Sequence, residues 1–220
     1  MPRRYFISLD LEGKHCLVVG GGRIAERKVM TLLECGALVR VVSPEITPVL
    51  RELAEERKIS YRRGVYKTSD LEGVFLAIGS TNREDVNRQV ADDCSARNII
   101  VNIVDNPEKS NFYVPAVLKR GSLTIAVSTD GKSPMLARKI KEDLERIYGA
   151  QYGEFLDMLG DLRRKTAGMV PDSKNRRKLF EDVVNDTVLK YLKEGRMDLV
   201  KERMLDAYRS GRSESQDGSR

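Results

Sequence analysis

The chain of 220 residues has few of the side chains that build metal centres or disulfide frameworks. Its only histidine is His15, and its three cysteines, Cys16, Cys35 and Cys94, are far apart and form no CxxC pair. Zinc therefore has no recognisable ligand set, and the cysteines are expected to be free, buried thiols in a reducing compartment. No apolar run approaches the roughly 20 residues that span a bilayer. The sequence predicts a cytoplasmic protein without a signal peptide or membrane segment.

Charge of one sign is in modest excess, with 39 Lys plus Arg against 33 Asp plus Glu and a net charge of +6. The basic residues are spread along the chain and do not form the blocks that are typical of nucleic-acid-binding arms. This balance favours a small molecule rich in carboxylate or phosphate over nucleic acid as the partner. With 40% hydrophobic residues, the chain can bury a core in one or two domains.

Short apolar runs rich in valine and isoleucine alternate with helical patterns in the first half of the chain. The predicted strands and helices are strands at 15–20, 38–43, 74–80 and 99–105, a weaker strand at 59–63, and helices at 24–35 and 82–96. Asn82 is placed to cap the second helix. Apolar strands that alternate with helices predict a parallel sheet with right-handed crossovers.

The pattern changes after residue 105. Residues 106–116 hold two prolines without periodicity and predict an ordered loop, and 122–131 predicts one more strand. Ser133 and Pro134 predict the N-cap and first residue of a helix that ends near residue 147.

The last third of the chain has a helical pattern from 151 to about 208, broken near 168–173. The segment 209–220 has no apolar residue except glycine and predicts a disordered tail.

A glycine-rich turn stands between the first strand and the first helix. Gly20, Gly22 and Ala25 match the pattern G-x-G-x-x-A, in which the residues allow a tight turn, a close approach to a pyrophosphate and close helix packing. Arg23 and Ile24 open the helix whose N-terminus offers N–H groups to phosphates. The alternative is a glycine turn that packs the helix on the sheet without a ligand.

The second strand ends in Ser43 and Pro44, where an Asp or Glu usually accepts the ribose hydroxyls of NAD. The Ser43 hydroxyl can bond a ribose, but it rejects a 2′-phosphate less strongly than a carboxylate does. The motif therefore predicts a dinucleotide without deciding between NAD and NADP. Ser80 and Thr81 follow a later strand and are candidates for the nicotinamide ribose, although loop chemistry before a helix explains them equally well.

Asp105 ends an apolar run and is expected to be partly desolvated. Desolvation raises the pKa of a carboxyl group toward values that suit a general base. A helix-capping or turn-forming Asp beside Pro107 is a nearly equally good interpretation.

Four stretches together resemble the precorrin-2 dehydrogenase / sirohydrochlorin ferrochelatase family, which includes the N-terminal module of bifunctional siroheme synthases. They are "CLVVGGGRIAERKVMTLLECGA", "STNREDVN", "NIVDNPEKSNFYVPA" and "AVSTDGKSPMLARKIKEDLE". The resemblance implies an α/β fold, in which a Rossmann-like parallel sheet domain is followed by a dimerisation region and a small helical domain. The expected boundaries are 1–113, 114–150 and 151–208, with the tail at 209–220.

The resemblance further implies NAD-dependent oxidation of precorrin-2 to sirohydrochlorin by a homodimer. Asp105 matches the family's catalytic aspartate, and Ser128 matches a serine near the tetrapyrrole. Arg120 and Lys132 are candidates to meet the carboxylate arms of the substrate, with Asn106 beside them. Insertion of ferrous iron stays open at this point. The rival functions are an NAD-sensing regulatory module and a chelatase with a vestigial nucleotide site.

Overall fold

The computed structural model describes residues 5–167 and 173–217. The chain divides into two compact units, Met1–Val114 and Pro115–Arg220. The predicted break near 168–173 lies, apart from its last residue, outside the described residues. Within the described ranges, no helix is both long and apolar enough to cross a membrane.

The first unit is built on a five-stranded parallel sheet, as the strand–helix alternation predicts. Its strands are β1 (His15–Val19), β2 (Leu38–Ser43), β3 (Ser60–Arg63), β4 (Leu76–Gly79) and β5 (Ile100–Ile103). The strand order is β3-β2-β1-β4-β5. The chain therefore winds outward from β1 in one direction and then from β4 in the other. In such sheets ligands bind at the carboxyl ends of the strands, where this direction reverses.

Three helices connect these strands, namely α1 (Arg23–Glu34), α2 (Pro48–Glu55) and α3 (Glu84–Ala96). The sequence patterns did not predict α2, which Thr47 caps by accepting a hydrogen bond from the Leu50 N–H at 3.3 Å. The prediction that Asn82 caps α3 is wrong, because the helix begins at Glu84 with Arg83 at the N-cap. The Thr81 hydroxyl accepts the Arg83 N–H at 3.1 Å, which holds this stretch in a turn.

Apolar side chains fill both faces of the sheet. Cys16 and Val18 of β1 belong to the cluster that α1 and α2 cover, and Leu17 and Val19 belong to the cluster that α3 covers. This alternation follows from the two-residue period of a strand, so a parallel strand buried on both faces is apolar throughout. Of the three free cysteines, Cys16 and Cys94 are buried as predicted, and Cys35 is half-buried.

The second unit begins with an antiparallel hairpin of β6 (Ala116–Arg120) and β7 (Leu123–Val127). The strand predicted at 122–131 is shorter than expected, and β6, which the sequence patterns did not predict, begins at the last residue of the predicted loop. Ser133 caps α4 (Pro134–Ile147) by accepting the Leu136 N–H at 3.2 Å, as predicted.

The rest of the second unit is helical and has its own apolar core. Its helices are α5 (Gln151–Ala167), α6 (Ser173–Val183), α7 (Asp186–Lys193) and α8 (Met197–Asp217). Helix α8 continues to Asp217, whereas the sequence predicts a disordered tail from residue 209. Ser, Glu and Gln are tolerated in a helix that a buried turn has already nucleated. Residues 218–220 lie outside the described residues.

Candidate functional site

A cavity of about 740 Å³ lies at the carboxyl ends of β1, β2 and β4. It occupies the place where the winding direction of the sheet reverses. Every residue predicted to bind the cofactor lines it: Gly20, Gly22, Arg23, Ile24, Ser43, Pro44, Ser80 and Thr81. Asp105 lines it as well. The structure thus brings these nine residues together in one place.

The glycines of the turn fit a pyrophosphate for different reasons. Gly20 has φ +124°, and a Cβ there would lie 2.7 Å from the Ser80 carbonyl oxygen. A Cβ on Gly21 would lie 1.9 Å from the Glu45 carbonyl oxygen, so this position is closed by backbone. A Cβ on Gly22 would meet no protein atom within 4 Å. Gly22 therefore borders open space that a ligand can occupy.

The N-terminus of α1 faces this space without a side-chain cap. Gly22 is the N-cap, and none of its neighbours in the described chain supplies a capping side chain. The carbonyl of Gly22 accepts the Glu26 N–H at 3.0 Å, which leaves the first-turn N–H groups of Arg23 and Ile24 without helical partners. Such groups, together with the helix dipole, bind phosphate. The residues present thus fit a dinucleotide pyrophosphate.

Ser43 and Glu45 form the wall beside the glycine turn. Ser43 is only 7% exposed, and its carbonyl accepts hydrogen bonds from the Tyr61 hydroxyl at 3.0 Å and the Gly64 N–H at 3.1 Å. Glu45 also lines the cavity. An acidic residue thus follows β2 two residues after Ser43. The sequence prediction overlooked it because it considered only the last residues of the strand.

The segment Gly64–Val65–Tyr66, beside Ser43, also lines the cavity, and the sequence prediction missed it as well. Arg62 donates from Nε to Asp70 Oδ1 at 2.7 Å, pairs with Asp70 Oδ2, and donates to the Val65 carbonyl at 2.8 Å. Asp70 is 5% exposed and also accepts the Lys67 N–H at 2.8 Å. This charged network closes the segment into a fixed turn. Nothing in the local pattern indicates a pairing that depends on the folded chain.

Tyr66 also lines the cavity, but its hydroxyl is bonded within the fold. The hydroxyl donates a hydrogen bond to Asp93 Oδ2 at 2.9 Å. Burial and this bond raise the pKa of Tyr66 far above its ordinary value, so the phenol stays neutral. The residue is therefore not an acid or base for the site.

Ser80 and Thr81 are held in place at the other end of the cavity. The Ser80 hydroxyl donates to the Val19 carbonyl at 3.2 Å. The amide of Asn87 donates to the Thr81 carbonyl at 2.9 Å, and its Oδ1 accepts from the Thr81 N–H at 3.2 Å and the hydroxyl at 2.8 Å. Asn87 is one more residue that sequence reasoning missed. It fixes the turn that precedes α3.

Asp105 stands on a sharp turn two residues after β5. Its φ of +59° lies in the left-handed region, which Asp and Asn adopt more readily than other non-glycine residues. The Ser110 hydroxyl donates to the Asn106 carbonyl at 2.9 Å and braces this turn. The prediction that Asp105 is partly desolvated is wrong, because the side chain is exposed. The buried strand ends at Ile103, and the turn carries Asp105 out of the apolar layer.

Lys28 lies on α1 one turn after Ile24 and is half-buried. Burial lowers the pKa of Lys28, as does the charge of Arg27, while the carboxylate of Asp105 raises it. The opposing effect of Asp105 means that this ammonium and carboxylate attract each other near the site.

The remaining predicted residues have local contacts. Asn106 accepts the Lys109 N–H at 3.2 Å and begins a 3-10 turn beside Asp105. The other three belong to the second unit: Ser128 accepts the Asp130 N–H at 3.1 Å, Arg120 donates to the Tyr148 carbonyl at 3.1 Å, and Lys132 is exposed. Their roles toward a substrate stay predictions. No cluster of three or more metal-ligating side chains occurs in residues 5–167 and 173–217.

Three family models cover most of the chain. A model of NAD(P)-binding domains matches residues 7–116, the central part of siroheme biosynthesis proteins matches 120–147, and the siroheme synthase dimerisation region matches 151–207. The chain belongs to the siroheme synthase family. The predicted family is thereby confirmed, as is the nicotinamide dinucleotide as the cofactor of the first unit.

Two siroheme synthases are similar to most of the chain. The siroheme synthase of Methylobacillus flagellatus is 36% identical over 212 residues, which are 96% of this chain and 45% of that protein. The siroheme synthase of Chromobacterium violaceum is 40% identical over 178 residues, 81% of this chain and 38% of that protein. The chain thus spans less than half the length of these relatives.

A solved structure is similar in both length and fold. The precorrin-2 dehydrogenase SirC has a TM-score of 0.74 and 29% identity, and the match covers 90% of this chain and all (100%) of SirC. This likeness and the dimerisation-region match confirm the predicted fold class, a Rossmann-like domain followed by a dimerisation region and a helical part.

Proposed function

We propose that the protein oxidises precorrin-2 to sirohydrochlorin with NAD⁺, a step of siroheme biosynthesis. The observation that carries this proposal is the cavity at the carboxyl ends of β1, β2 and β4. The uncapped N-terminus of α1, Gly22 and the exposed Asp105 all line this cavity. The likeness to SirC, a precorrin-2 dehydrogenase, supplies the substrate class. A dinucleotide-sensing module would need the first two features but not the third.

The chain's own residues divide the work between binding and proton transfer. The N–H groups at Arg23 and Ile24 hold the pyrophosphate, and the Ser80–Thr81 turn fixes the nicotinamide end. NAD⁺, when bound, supplies the acceptor for the hydride that leaves the macrocycle. Asp105 takes the proton that leaves with it, so that precorrin-2 and NAD⁺ give sirohydrochlorin, NADH and one proton. Orientation of the substrate carbon by these walls supplies much of the rate.

Glu45 supports NAD over NADP as the cofactor. A carboxylate beside the adenosine ribose accepts its hydroxyls and repels a 2′-phosphate. Glu45 lines the cavity next to Ser43 and Pro44, the residues that we propose contact this ribose. We expect the enzyme to saturate at a lower concentration of NAD⁺ than of NADP⁺.

A homodimer is the proposed working form. Helix α4 exposes four large apolar side chains in the single chain, an arrangement that is typical of a surface covered by a partner. They are Met135 (83% exposed), Leu136 (51%), Ile140 (38%) and Ile147 (49%). The match to the siroheme synthase dimerisation region supports the same conclusion.

The test uses an isosteric change at Asp105. Asn tolerates the left-handed backbone of this position, so Asp105→Asn removes the charge without adding the strain that Ala would bring. We expect kcat for precorrin-2 oxidation to fall at least about a hundredfold, the ordinary contribution of a general base. The dissociation constant for NAD⁺, measured by calorimetry, should stay within about twofold.

Asp92→Asn is the control, since this exposed carboxylate of α3 lies outside the cavity and its loss changes the net charge equally. Equal turnover of the Asp105 and Asp92 variants would remove Asp105 from the reaction. Anaerobic assay of the wild-type protein with precorrin-2, followed by its visible spectrum, tests the activity itself. Ferrous iron, added last as a second substrate, would give siroheme if the protein is also a chelatase.

A further inference from the structure

A second, smaller cavity adjoins the cofactor cavity on the side of Asp105. It has a volume of about 250 Å³ and is called the side cavity below. Thr81, Asn82, Val104 and Asp105 line both cavities, so a wall of four residues is common to them. Neither the proposed reaction nor the cofactor uses the side cavity. Its position beside the proposed base makes it a place for part of the substrate.

The rest of its lining includes two cationic side chains, Lys109 and Arg88, and one carboxylate, Glu84. Lys109 lies at the end of the 3-10 turn that Asn106 caps, is half-buried, and forms no ion pair with any residue of the described chain. Arg88 of α3 also lines the side cavity, and its only partner among the described side chains is Glu84 at 3.2 Å. Both members of that pair are more than half exposed, so the pair is weak and four of the five guanidinium N–H donors stay available.

The charges around Asp105 explain why such donors are needed. A substrate that carries several carboxylates must approach an exposed carboxylate, Asp105, and like charges repel. Lys109 and Arg88 supply two positive charges on the far side of the shared wall. They offset this repulsion at the point where the substrate carbon meets the base. Arg in particular forms charge-assisted, two-pronged bonds with a carboxylate.

We propose that the side cavity binds one carboxylate arm of the tetrapyrrole substrate, through Lys109 and Arg88. This inference rests on the proposed function for the identity of the substrate. The arm would sit in the side cavity while the adjacent ring carbon faces the nicotinamide end of the cofactor cavity across Asp105. The subsite thus sets which edge of the macrocycle is presented for oxidation.

The experiment compares Lys109→Met with Lys58→Met. Lys58 precedes β3 at the amino edge of the sheet, opposite the cavities, and its partner is the exposed Glu56, so its loss removes one positive charge far from the site. For Lys109→Met we expect about a tenfold rise in KM for precorrin-2, with kcat within about threefold, because one charge-assisted bond is lost. The Kd for NAD⁺ should be unchanged in both variants. Lys109→Arg should restore most of the affinity.

A binding measurement without cofactor or turnover separates the two proposals. Sirohydrochlorin, titrated by its absorbance, should bind Lys109→Met about tenfold more weakly than Lys58→Met. Equal KM and equal sirohydrochlorin affinity in the two variants, with an active wild type, would overturn the subsite and leave the proposed function standing. An effect of Lys109→Met on NAD⁺ affinity alone would also overturn it. A wild type that binds sirohydrochlorin in a Lys109-dependent way but does not oxidise precorrin-2 would overturn the function instead.

Discussion

A substitution at Gly22 should weaken dinucleotide binding without destabilising the first unit. Its backbone has φ −84° and ψ −175°, an extended conformation that alanine adopts without strain. The Cβ of a Gly22→Ala variant would meet no protein atom within 4 Å. The methyl group would therefore occupy only the open space at the N-terminus of α1. Dinucleotide binding should suffer while the fold does not.

The expected size of each effect follows from two opposing contributions. Replacing Gly by Ala at compatible backbone angles stabilises a protein by about 0.4–1 kcal/mol, because the unfolded chain loses freedom. Alanine is worse than glycine at an N-cap by a similar amount, so the free energy of unfolding should change by less than about 0.5 kcal/mol. A methyl group where the pyrophosphate approaches the backbone should weaken NAD⁺ binding at least about tenfold, or 1.4 kcal/mol.

Calorimetric titration with NAD⁺ and urea unfolding measure the two quantities. Gly160→Ala is the matched control. Gly160 lies in α5 of the second unit, and a Cβ there would come no closer than 3.7 Å to another side chain. Gly21→Ala provides the contrast, because its Cβ would overlap the Glu45 carbonyl and should cost about 1–3 kcal/mol of stability. A folded Gly22→Ala variant with wild-type affinity for NAD⁺ would refute the assignment of this turn to the pyrophosphate.

Two further predictions concern packing. Arg62→Met should lower the free energy of unfolding by about 2 kcal/mol, because the buried Asp70 carboxylate loses its partner; the loss is smaller than for a fully buried pair, since Arg62 keeps 36% of its side chain exposed. An unchanged urea midpoint would contradict this. Burial raises the pKa of Cys16 to about 11 and of Cys94 to about 12, so at pH 8 roughly one thiol in a thousand or fewer is ionised. Iodoacetamide should label the half-buried Cys35 first, and mass spectrometry showing equal rates would argue against this packing.

Regular local patterns account for the parts of the fold that the sequence predicts. The strands of the sheet other than the polar edge strand β3 are mainly apolar, and α4 has its cap and its first-turn proline in consecutive positions, Ser133 and Pro134. The same signal is present at Thr47 and Pro48, yet α2 was missed because its eight residues make only about two turns. Short helices give too few turns for periodicity to be recognised.

The site was predicted less completely, because part of it depends on residues that meet only in the folded chain. Gly20 and Gly22 carry a motif with fixed spacing, and they line the cavity as the motif implies. Asn87 has no such signal, since an amide in the first turns of a helix resembles any solvated residue. The Arg62–Asp70 pair joins β3 to a 3-10 turn and is invisible before the chain folds.

The exposure of Asp105 has a consequence for how the reaction can proceed. A carboxylate in water is well solvated and accepts a proton poorly, so a general base normally works where water is excluded. The turn at φ +59° leaves Asp105 outside the apolar layer of the first unit, and the protein atoms around it in that unit do not exclude water. The broad apolar face of a tetrapyrrole would displace that water when it binds across Asp105. Since the same substrate brings carboxylates toward this charge, Lys109 and Arg88 have to act before the proton moves, by holding the substrate against the repulsion that its own arms create.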